Sequence, residues 1–172
     1  MTFWKFFFNY KQTTKLKKQT KDGTTNVFVK KVEKSNIYMS TCKKINLEEL
    51  EKLCDSVGWV RRPLKKVKFA LENSFLTISV FQIENKYKRL IGFARVTSDG
   101  SFNATIWDVV IHPDFQGNGL GTILMNQVIK KLREYDISTI TLFADPQVVK
   151  FYQHIGFIVD PDSVKGMFWY PT

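Results

Sequence analysis

Three glycines at alternate positions, Gly117, Gly119 and Gly121, constrain the fold of this chain more than any other feature of its sequence. They lie between a β-branched and aromatic run, residues 104–111, and an amphipathic helix that is predicted to begin at Gly119. Glycine has no Cβ, so a ligand can approach such a loop closely. The helix start adds free N–H groups and a dipole that favours negative charge. The pattern therefore predicts a strand, loop and helix that bind an anion, most simply a pyrophosphate.

The spacing of these glycines excludes two common nucleotide-binding motifs. A dinucleotide-binding fingerprint needs Gly-x-Gly-x-x-Gly, whereas this loop has Gly-x-Gly-x-Gly, and Asp145 is too distant in sequence to be the acidic partner. The phosphate loop of nucleoside triphosphatases, Gly-x-x-x-x-Gly-Lys-Ser/Thr, does not occur in the chain. A glycine-rich turn that binds no ligand is the alternative. From the residues alone, the ligand stays open.

Hydrophobic periodicity divides most of the chain into the elements of one domain. The predicted helices are residues 47–57, capped by Asn46 and ended by Gly58; residues 63–71, opened by Pro63; a long helix from Gly119; and a short helix from Pro146 to Gly156. The predicted strands are residues 27–29, 37–39, 75–83, 90–97, 104–111, 138–144, 157–159 and 166–170. The first two strands form either a hairpin or one broken strand, and residues 85–88 form a hairpin loop.

The basic charge of the chain is concentrated at its N-terminal end. The 172 residues carry a net charge of +10, and residues 1–34, with nine lysines and two acidic residues, account for +7 of it. Residues 1–26 show no useful period and are predicted to be an irregular, flexible basic arm, whereas residues 27–172 form a single domain. Such an arm attracts polyanions such as RNA, an anionic membrane surface or an anionic cofactor. A solvated leader without a partner is the alternative.

The cysteines, histidines and apolar runs argue against a metal site and a membrane span. Cys42 and Cys54 have no zinc-type spacing, so we predict two reduced, buried or half-buried thiols and no metal. No apolar run approaches the roughly 20 residues that a membrane helix needs. The first residues also lack the features of a secretory signal or a transit peptide. We therefore expect the chain to act in the compartment where it is made.

Two segments resemble the GNAT family of acetyltransferases. Gln116, Gly119 and Gly121 match the family signature Arg/Gln-x-x-Gly-x-Gly/Ala, and residues 145–157 resemble its second cofactor segment, Asn-x-x-Ala-x-x-x-Tyr-x-x-x-Gly-Phe. Tyr152, Gly156 and Phe157 fall in register, while Asp145 replaces the common Asn and Val148 replaces Ala. The resemblance implies an α/β (α+β layered) architecture, the GNAT acyl-CoA N-acyltransferase fold, with a mixed central sheet and helices on both faces.

The resemblance narrows to plant chloroplast enzymes of this family and covers roughly residues 60–172. Residues 102–109, 142–145 and 166–169 carry it. Members of that branch acetylate protein lysines, protein N-termini, and arylalkylamines such as serotonin. The resemblance therefore implies an N-acetyltransferase of the plastid stroma, encoded in the plastid; the alternative location is cytoplasmic.

The resemblance also implies site residues. Acetyl-CoA would pair its pantetheine arm with the β-strand backbone, as an added strand would, and bind its pyrophosphate at the glycine loop. The cofactor-binding residues implied are Val109, Val110, Ile111, Gln116, Gly117, Asn118, Gly119, Leu120, Gly121, Thr122, Asp145 and Tyr152. Tyr152 matches the general acid, with a core aromatic as the alternative. Asp108 is either a base or a structural orienter.

The sequence leaves the identity of the acceptor amine open. The region around residues 45–75 and the closing strands would line its pocket, where Trp59, Phe69 and Trp169 suit either an arylalkylamine or ordinary packing. His112 and His154 are predicted to have no catalytic role. The leading hypothesis is that a primary amine attacks acetyl-CoA directly in a ternary complex. The alternatives are a non-catalytic acetyl-CoA-binding module that docks to RNA or the ribosome through its basic arm, and an interaction protein without a cofactor.

Overall fold

The computed structural model describes residues 17–19, 25–32, 35–84 and 87–170. The strands are β1 Lys17–Gln19, β2 Thr25–Val32, β3 Ser35–Ser40, β4 Leu76–Glu84, β5 Tyr87–Ser98, β6 Asn103–Ile111 and β7 Thr139–Leu142. The helices are α1 Leu47–Asp55, α2 Leu64–Glu72, α3 Leu120–Glu134 and α4 Val149–Ile155. Short 3-10 turns occupy Pro113–Phe115, Pro146–Val148 and Pro161–Ser163.

The strands form one mixed sheet in chain order, from β1 to β7. Neighbouring strands are antiparallel throughout, except that β6 and β7 are parallel. A parallel pair needs a crossover connection, and α3 supplies it between β6 and β7. The α/β architecture with a mixed central sheet is confirmed.

Helices pack on both faces of the sheet. The α3 face buries a large cluster in which the sheet contributes Ile78, Val80, Ile91 and Val96, and α3 contributes Leu120, Leu124, Met125, Val128 and Leu132. The α1/α2 face buries a smaller cluster of Leu50, Leu53, Leu71, Phe81, Leu90, Phe93 and Val110. Because side chains alternate along a strand, β4 and β5 supply both clusters.

The helix boundaries follow local signals in most places. Asn46 caps α1 as predicted, since its side-chain oxygen accepts hydrogen bonds from the N–H groups of Glu48 at 2.9 Å and Glu49 at 3.1 Å. Pro63 is the residue before α2 rather than its first residue, because its ψ of 122° is not helical. Gly156 ends α4 with a left-handed φ of 107°, a conformation that glycine adopts without strain.

A bulge divides β6 near its middle. Phe93 pairs with Val110 and Arg95 pairs with Trp107, so two residues of β6, Asp108 and Val109, lie opposite the single residue between them on β5. Asp108 has a left-handed φ of 54°. A bulge of this kind bends a strand and interrupts its ladder. It thereby separates the part of β6 that pairs with β7 from the part that leads into the glycine loop.

The N-terminal prediction needs correction. Residues 17–19 and 25–26 were predicted to be irregular, yet they belong to β1 and β2, which pair with each other. Strand pairing is made by backbone groups, so a polar segment can form it without a hydrophobic period. β2 and β3 form a hairpin, which confirms the first of the two predicted alternatives. The other residues of the predicted arm, with its polyanion contact, lie outside the described residues.

Two predicted closing strands are wrong. Within residues 157–170, as described, no strand ladder is formed. The backbone there turns left-handed at Asp160, Asp162 and Ser163, with φ values of 46°, 54° and 61°, which an extended strand cannot accommodate. Several β-type residues on either side are exposed, among them Ile158 and Trp169, whereas Phe157 packs against the α3-face cluster. Strand β7, predicted as residues 138–144, is also shorter than predicted and spans Thr139–Leu142. Tyr87 and Lys88 belong to β5 rather than to the predicted hairpin loop.

Candidate active site

The glycine loop follows β6 through a single 3-10 turn. Phe115 at the end of that turn is buried in the α3-face cluster and anchors the loop. Gly117 and Gly119 both have left-handed φ values, 73° and 74°, which side chains other than glycine adopt at a cost. A Cβ added at either glycine would meet no protein atom within 4 Å, so both face open space. Substitution would therefore place a side chain in the space that a ligand needs.

The first N–H groups of α3 are left for a hydrogen-bond acceptor from outside the helix. No side chain within the described residues caps it, and the first hydrogen bond there runs from the N–H of Ile123 to the carbonyl of Gly119, at 3.1 Å. The first N–H groups of a helix have no intrahelical partner. An anion such as a phosphate fits this geometry.

Gln116 braces the loop. Its side-chain Nε2 donates to the carbonyl of Ile111 at 2.9 Å, and its backbone N–H donates to the carbonyl of Pro113 at 3.1 Å. Both donors are thus engaged within the chain. Gln116 therefore holds the loop against the end of β6, and the open N–H groups begin after it.

The edge of β6 beside this loop is unpaired. β7 pairs with β6 only from Asn103 to Ile106, so the described residues place no strand beside residues 107–111 on that side. Val110 is buried on the α1/α2 face, and Ile111 is buried on the α3 face. This edge is therefore held rigidly while its backbone groups remain available.

Tyr152 lies on α4, next to the residue of that helix that packs against the start of α3. A Cβ at Gly121 would lie 3.3 Å from the Phe151 ring, so the glycine lets α4 approach the start of α3. Tyr152 follows directly, with its ring against those of Phe151 and Phe157 at 5.0 and 6.0 Å between centroids. Burial, and then the negative charge of Asp145, raise the pKa of Tyr152 above its ordinary value. The hydroxyl is therefore protonated at neutral pH.

Asp108 lies between two arginines. Its Oδ2 accepts from Nε of Arg95 at 2.7 Å, and its Oδ1 accepts from the guanidinium of Arg62 at 3.1 Å. The carboxylate of Asp108 is 18% exposed and the side chain of Arg95 is 15% exposed. Both oxygens are thus engaged by permanent cations. This arrangement suits a group that orients neighbouring elements better than one that accepts a proton from a substrate.

A cavity of about 350 Å³ opens beside Asp108, between α1, α2 and the sheet. Its lining includes Glu51, Cys54, Arg62, Phe93, Arg95 and Asp108, with aliphatic side chains from α1 and α2. Trp59, Phe69 and Trp169 are not among the lining residues; Trp59 packs in the α1/α2-face cluster and the other two are exposed. The predicted region around residues 45–75 does form the wall, but its aromatic residues do not.

Both cysteines are free and half-buried. Burial raises the pKa of Cys54, which lines the cavity. Of the two histidines, His154 sits on the outer side of α4 with its Nδ1 2.6 Å from the carbonyl of Lys150. Burial, and then the charge of Arg89, lower the pKa of His112. Neither histidine touches Tyr152 or the cavity.

Sequence reasoning missed Arg62 and Arg95. They are separated from Asp108 by 46 and 13 residues, so no local motif joins the three. A signal was nevertheless present, because Arg95 and Asp108 each interrupt an apolar strand sequence. Buried charges need partners, so two opposite charges on adjacent strands are candidates for pairing.

None of the helices in the described ranges has an apolar stretch long enough to cross a membrane. Within the same ranges, no group of three or more His, Cys, Asp or Glu side chains is arranged to hold a metal ion.

Comparisons with known proteins agree on one family. The profile of the Acetyltransferase (GNAT) family matches residues 45–157. The chain is 61% identical over 180 residues to the uncharacterized N-acetyltransferase ycf52 of Gracilaria tenuistipitata var. liui, covering 99% of each chain. It is 50% identical over 143 residues to the histone acetyltransferase TAP1 of Glycine max, covering 79% of this chain and 62% of that protein.

Two further comparisons extend these matches. The chain is 45% identical over 151 residues to the chloroplastic GCN5-related N-acetyltransferase 2 of Arabidopsis thaliana, covering 78% of this chain and 58% of that protein. Among solved structures, a probable acetyltransferase from Staphylococcus aureus superposes with a TM-score of 0.66 at 22% identity, covering 78% of this chain and 99% of that one. At this identity the structural likeness concerns the fold alone.

Proposed function

Because this chain belongs to the acetyltransferase (GNAT) family and is an N-acetyltransferase, we propose that it transfers the acetyl group of acetyl-CoA to a primary amine while both are bound. The observation that carries the proposal is the unpaired edge of β6 at residues 107–111, which leads directly into the glycine loop and the uncapped start of α3. An extended ligand can pair with the strand edge while its phosphates bind at the helix start. The pantetheine arm and pyrophosphate of CoA have that shape and order.

Each part of the site has its own task in binding acetyl-CoA. The backbone of Val109, Val110 and Ile111 would pair with the pantetheine arm, and the N–H groups of residues 117–122 would bind the pyrophosphate. Gln116 holds the loop in place, and the negative charge of Asp145 acts on Tyr152. When bound, acetyl-CoA supplies an activated thioester and a thiolate leaving group. Fixing the thioester beside an amine removes much of the entropic barrier to their reaction.

We assign Tyr152 as the general acid. Its raised pKa keeps the proton on Oη throughout the neutral range, which a donor to a departing thiolate requires. Positioned proton transfer of this kind contributes about 10²–10⁴-fold to a rate. Asp108, with both oxygens bound to arginines, is assigned as an orienter of the β6 bulge rather than as the base.

The acceptor favoured by the cavity is an alkyl amine, such as a lysine side chain of a protein. Most of the uncharged lining of the cavity is aliphatic, and Phe93 is its aromatic residue. Its charged lining residues are Glu51, Asp55, Asp108, Arg61, Arg62, Lys66 and Arg95. The soybean relative is named a histone acetyltransferase, which agrees with a lysine acceptor. Glu51 also lines the cavity and forms no salt bridge within the described residues. We expect it to attract the ammonium group of the acceptor.

The experiment that tests the proposal measures thiol release from acetyl-CoA with a lysine peptide, a peptide with a free N-terminus, and serotonin. We expect release with the lysine peptide, and a kcat about 10²-fold or more lower in Tyr152→Phe. Since burial raises the pKa of Tyr152 above its ordinary value, its deprotonation should not reduce kcat anywhere in the neutral pH range. Binding of acetyl-CoA should be little changed in the variant.

Two results would contradict the proposal. If the wild-type chain released no thiol from acetyl-CoA with any of the amines, the assigned reaction would be rejected. Release with serotonin alone would keep the reaction but reject the lysine acceptor.

We also propose that the protein works in the plastid, in line with the chloroplastic relative from Arabidopsis thaliana. Immunodetection in purified plastids and in the cytosol of the source organism tests this. Signal in the cytosolic fraction alone would reject the location.

A further inference from the structure

The glycine loop carries no cation of its own. Residues 112–129 contain no lysine and no arginine, and Asp114 is their one acidic residue. A pyrophosphate bound there would find N–H groups but no positively charged side chain from the loop or from the first turns of α3. Phosphate groups in proteins are commonly bound by charge-assisted hydrogen bonds from lysine or arginine. Any such cation must therefore come from another element.

Lys30 of β2 reaches this loop. Its Nζ donates to the carbonyl of Asn118 at 2.6 Å, although 88 residues separate the two in sequence. The side chain is not engaged by a carboxylate, since none of the salt bridges within the described residues includes it. An ammonium group has three donors, so Lys30 can keep Asn118 and still bind an anion.

The register of the sheet explains why Lys30 points to the loop. Lys30 pairs with Ile37, Ile37 with Gln82, and Gln82 with Arg89. Residues directly opposite in a sheet project on the same face. Ile37 is fully buried in the α3-face cluster, so the whole row faces α3.

The other end of this row brings a second positive charge. Arg89 extends its guanidinium to Nε2 of His112, at 2.7 Å. His112 directly follows β6 and precedes the 3-10 turn that leads into the glycine loop. Lys30 thus contacts the glycine loop itself, and Arg89 contacts the residue before the turn that leads into it. Both approach from the sheet side, and their fields add where the phosphates would lie.

We infer that Lys30, carried by the β2–β3 hairpin, is the cation that binds the pyrophosphate of coenzyme A at the glycine loop. The inference rests on the proposed function. It makes the N-terminal hairpin part of the coenzyme site, although the family profile matches only from residue 45. In the free protein Lys30 holds the carbonyl of Asn118; in the complex the same ammonium group also donates to a phosphate oxygen.

The experiment measures binding of CoA and of 3′-dephospho-CoA to the full chain by titration calorimetry, without any acceptor amine. Lys30→Gln removes the charge, and Lys30→Arg keeps it. Lys88→Gln is the matched control, because Lys88 lies on the same sheet with its Nζ over the Phe81 ring on the opposite face, at 3.7 Å from the centroid. Thermal unfolding of each variant reports whether the hairpin is intact.

We expect Lys30→Gln to weaken both ligands about tenfold at low salt, the usual size for a charged hydrogen bond. Lys30→Arg and Lys88→Gln should bind within about twofold of wild type, as expected for a retained or remote charge. The difference between wild type and Lys30→Gln should shrink as salt rises towards about 1 M, where screening is strong.

Two results would overturn the inference while leaving the proposed function intact. The first is wild-type affinity in Lys30→Gln. The second is a defect seen with CoA but lost with 3′-dephospho-CoA, since the 3′-phosphate would then be the partner. If the wild-type chain itself failed to bind CoA, the proposed function would fall, and this inference with it.

Discussion

Asp108 occupies a left-handed backbone conformation inside a strand, and its side chain joins that bulge to α2 and β5 through Arg62 and Arg95. Aspartate tolerates this conformation better than most residues. We expect Asp108→Asn to keep the bulge but to lower the melting temperature by roughly 3–8 °C, because it leaves the half-buried Arg95 without its counter-charge. Turnover should persist, with an unchanged pH dependence of kcat/KM. Calorimetry and a pH series check both parts.

The matched control for Asp108→Asn is Asp55→Asn. Asp55 pairs at 2.7 Å with Arg61, whose side chain is exposed. Exposed pairs contribute about 0–1 kcal/mol, so this variant should melt within a few degrees of wild type. A loss of kcat of about 10²-fold or more in Asp108→Asn, with loss of the acid limb of the pH profile, would instead identify Asp108 as the base.

Glu51 lines the cavity from α1 and is the carboxylate we expect to attract the acceptor ammonium. Glu51→Gln keeps the shape of the side chain and removes its charge. We expect KM for a lysine peptide to rise about tenfold, on the scale of a charged hydrogen bond, with binding of acetyl-CoA unchanged. Glu48→Gln on the exposed side of the same helix is the control and should leave KM unaltered. If KM for the lysine peptide were the same in Glu51→Gln as in Glu48→Gln, Glu51 would have no role in binding the acceptor.

At the scale of elements, close packing of β5 against β6 makes Gly92 a sensitive position. A Cβ there would lie 2.6 Å from Cδ1 of Ile111 and 3.0 Å from Cγ2 of Val80. We expect Gly92→Ala to destabilise the fold by about 1–3 kcal/mol, the usual cost of overpacking a core. It should also weaken acetyl-CoA binding, because Ile111 ends the proposed pantetheine edge. Chemical denaturation and calorimetry measure the two effects.

The second substitution Ile111→Val tests this explanation directly. It removes the Cδ1 atom that the new methyl group would strike. The double variant should therefore be more stable than the sum of the two single variants predicts, by about 0.5–3 kcal/mol as found for residues in contact. Strict additivity would show that the cost of Gly92→Ala arises elsewhere in the strand.

The elements that were predictable from sequence are those whose ends carry their own chemistry. Asn46 caps α1 and Gly156 ends α4, and in both cases the determining groups lie within four residues of the boundary. The glycine loop was likewise predictable, because its conformation depends on residues that are contiguous. Its side-chain support was not, since Lys30 and Asn118 are 88 residues apart and meet only through the sheet register.

The two predicted closing strands show what the sequence alone does not determine. Residues 157–159 and 166–170 have β-type sequences, but strand formation needs a neighbour that completes the backbone hydrogen bonds. Sequence composition reports how well a segment fits a sheet, and it does not report whether a partner edge is available. The left-handed residues between the two segments, Asp160 and Asp162, have the residue type that favours such turns, and they are the sequence signal for a break between the segments.

At the scale of the whole molecule, the two hydrophobic clusters share one sheet. Ile91 of β5 is fully buried on the α3 face, while Phe93 is buried on the α1/α2 face. The alternation of side chains shifts there because Leu90 and Gly92 pair with the adjacent residues Phe81 and Val80 of β4, which leaves Ile91 as an extra, bulged residue. Loss of either helical layer would expose apolar residues of the same strands to water. The two clusters should therefore unfold together rather than as separate units.

One leucine from each layer tests this coupling, Leu53 of α1 and Leu124 of α3, which are 2% and 0% exposed. Each Leu→Ala change should cost about 2–5 kcal/mol, which lowers the melting temperature of a chain of this size by roughly 5–15 °C. Because the sheet is common to both layers, circular dichroism and tryptophan fluorescence should still report one coincident transition in each variant. Separate transitions in Leu53→Ala, with the α3 layer melting at the wild-type temperature, would mean that α1 and α2 form an independent unit. The proposed acceptor cavity between those helices and the sheet could then open without unfolding the proposed coenzyme site.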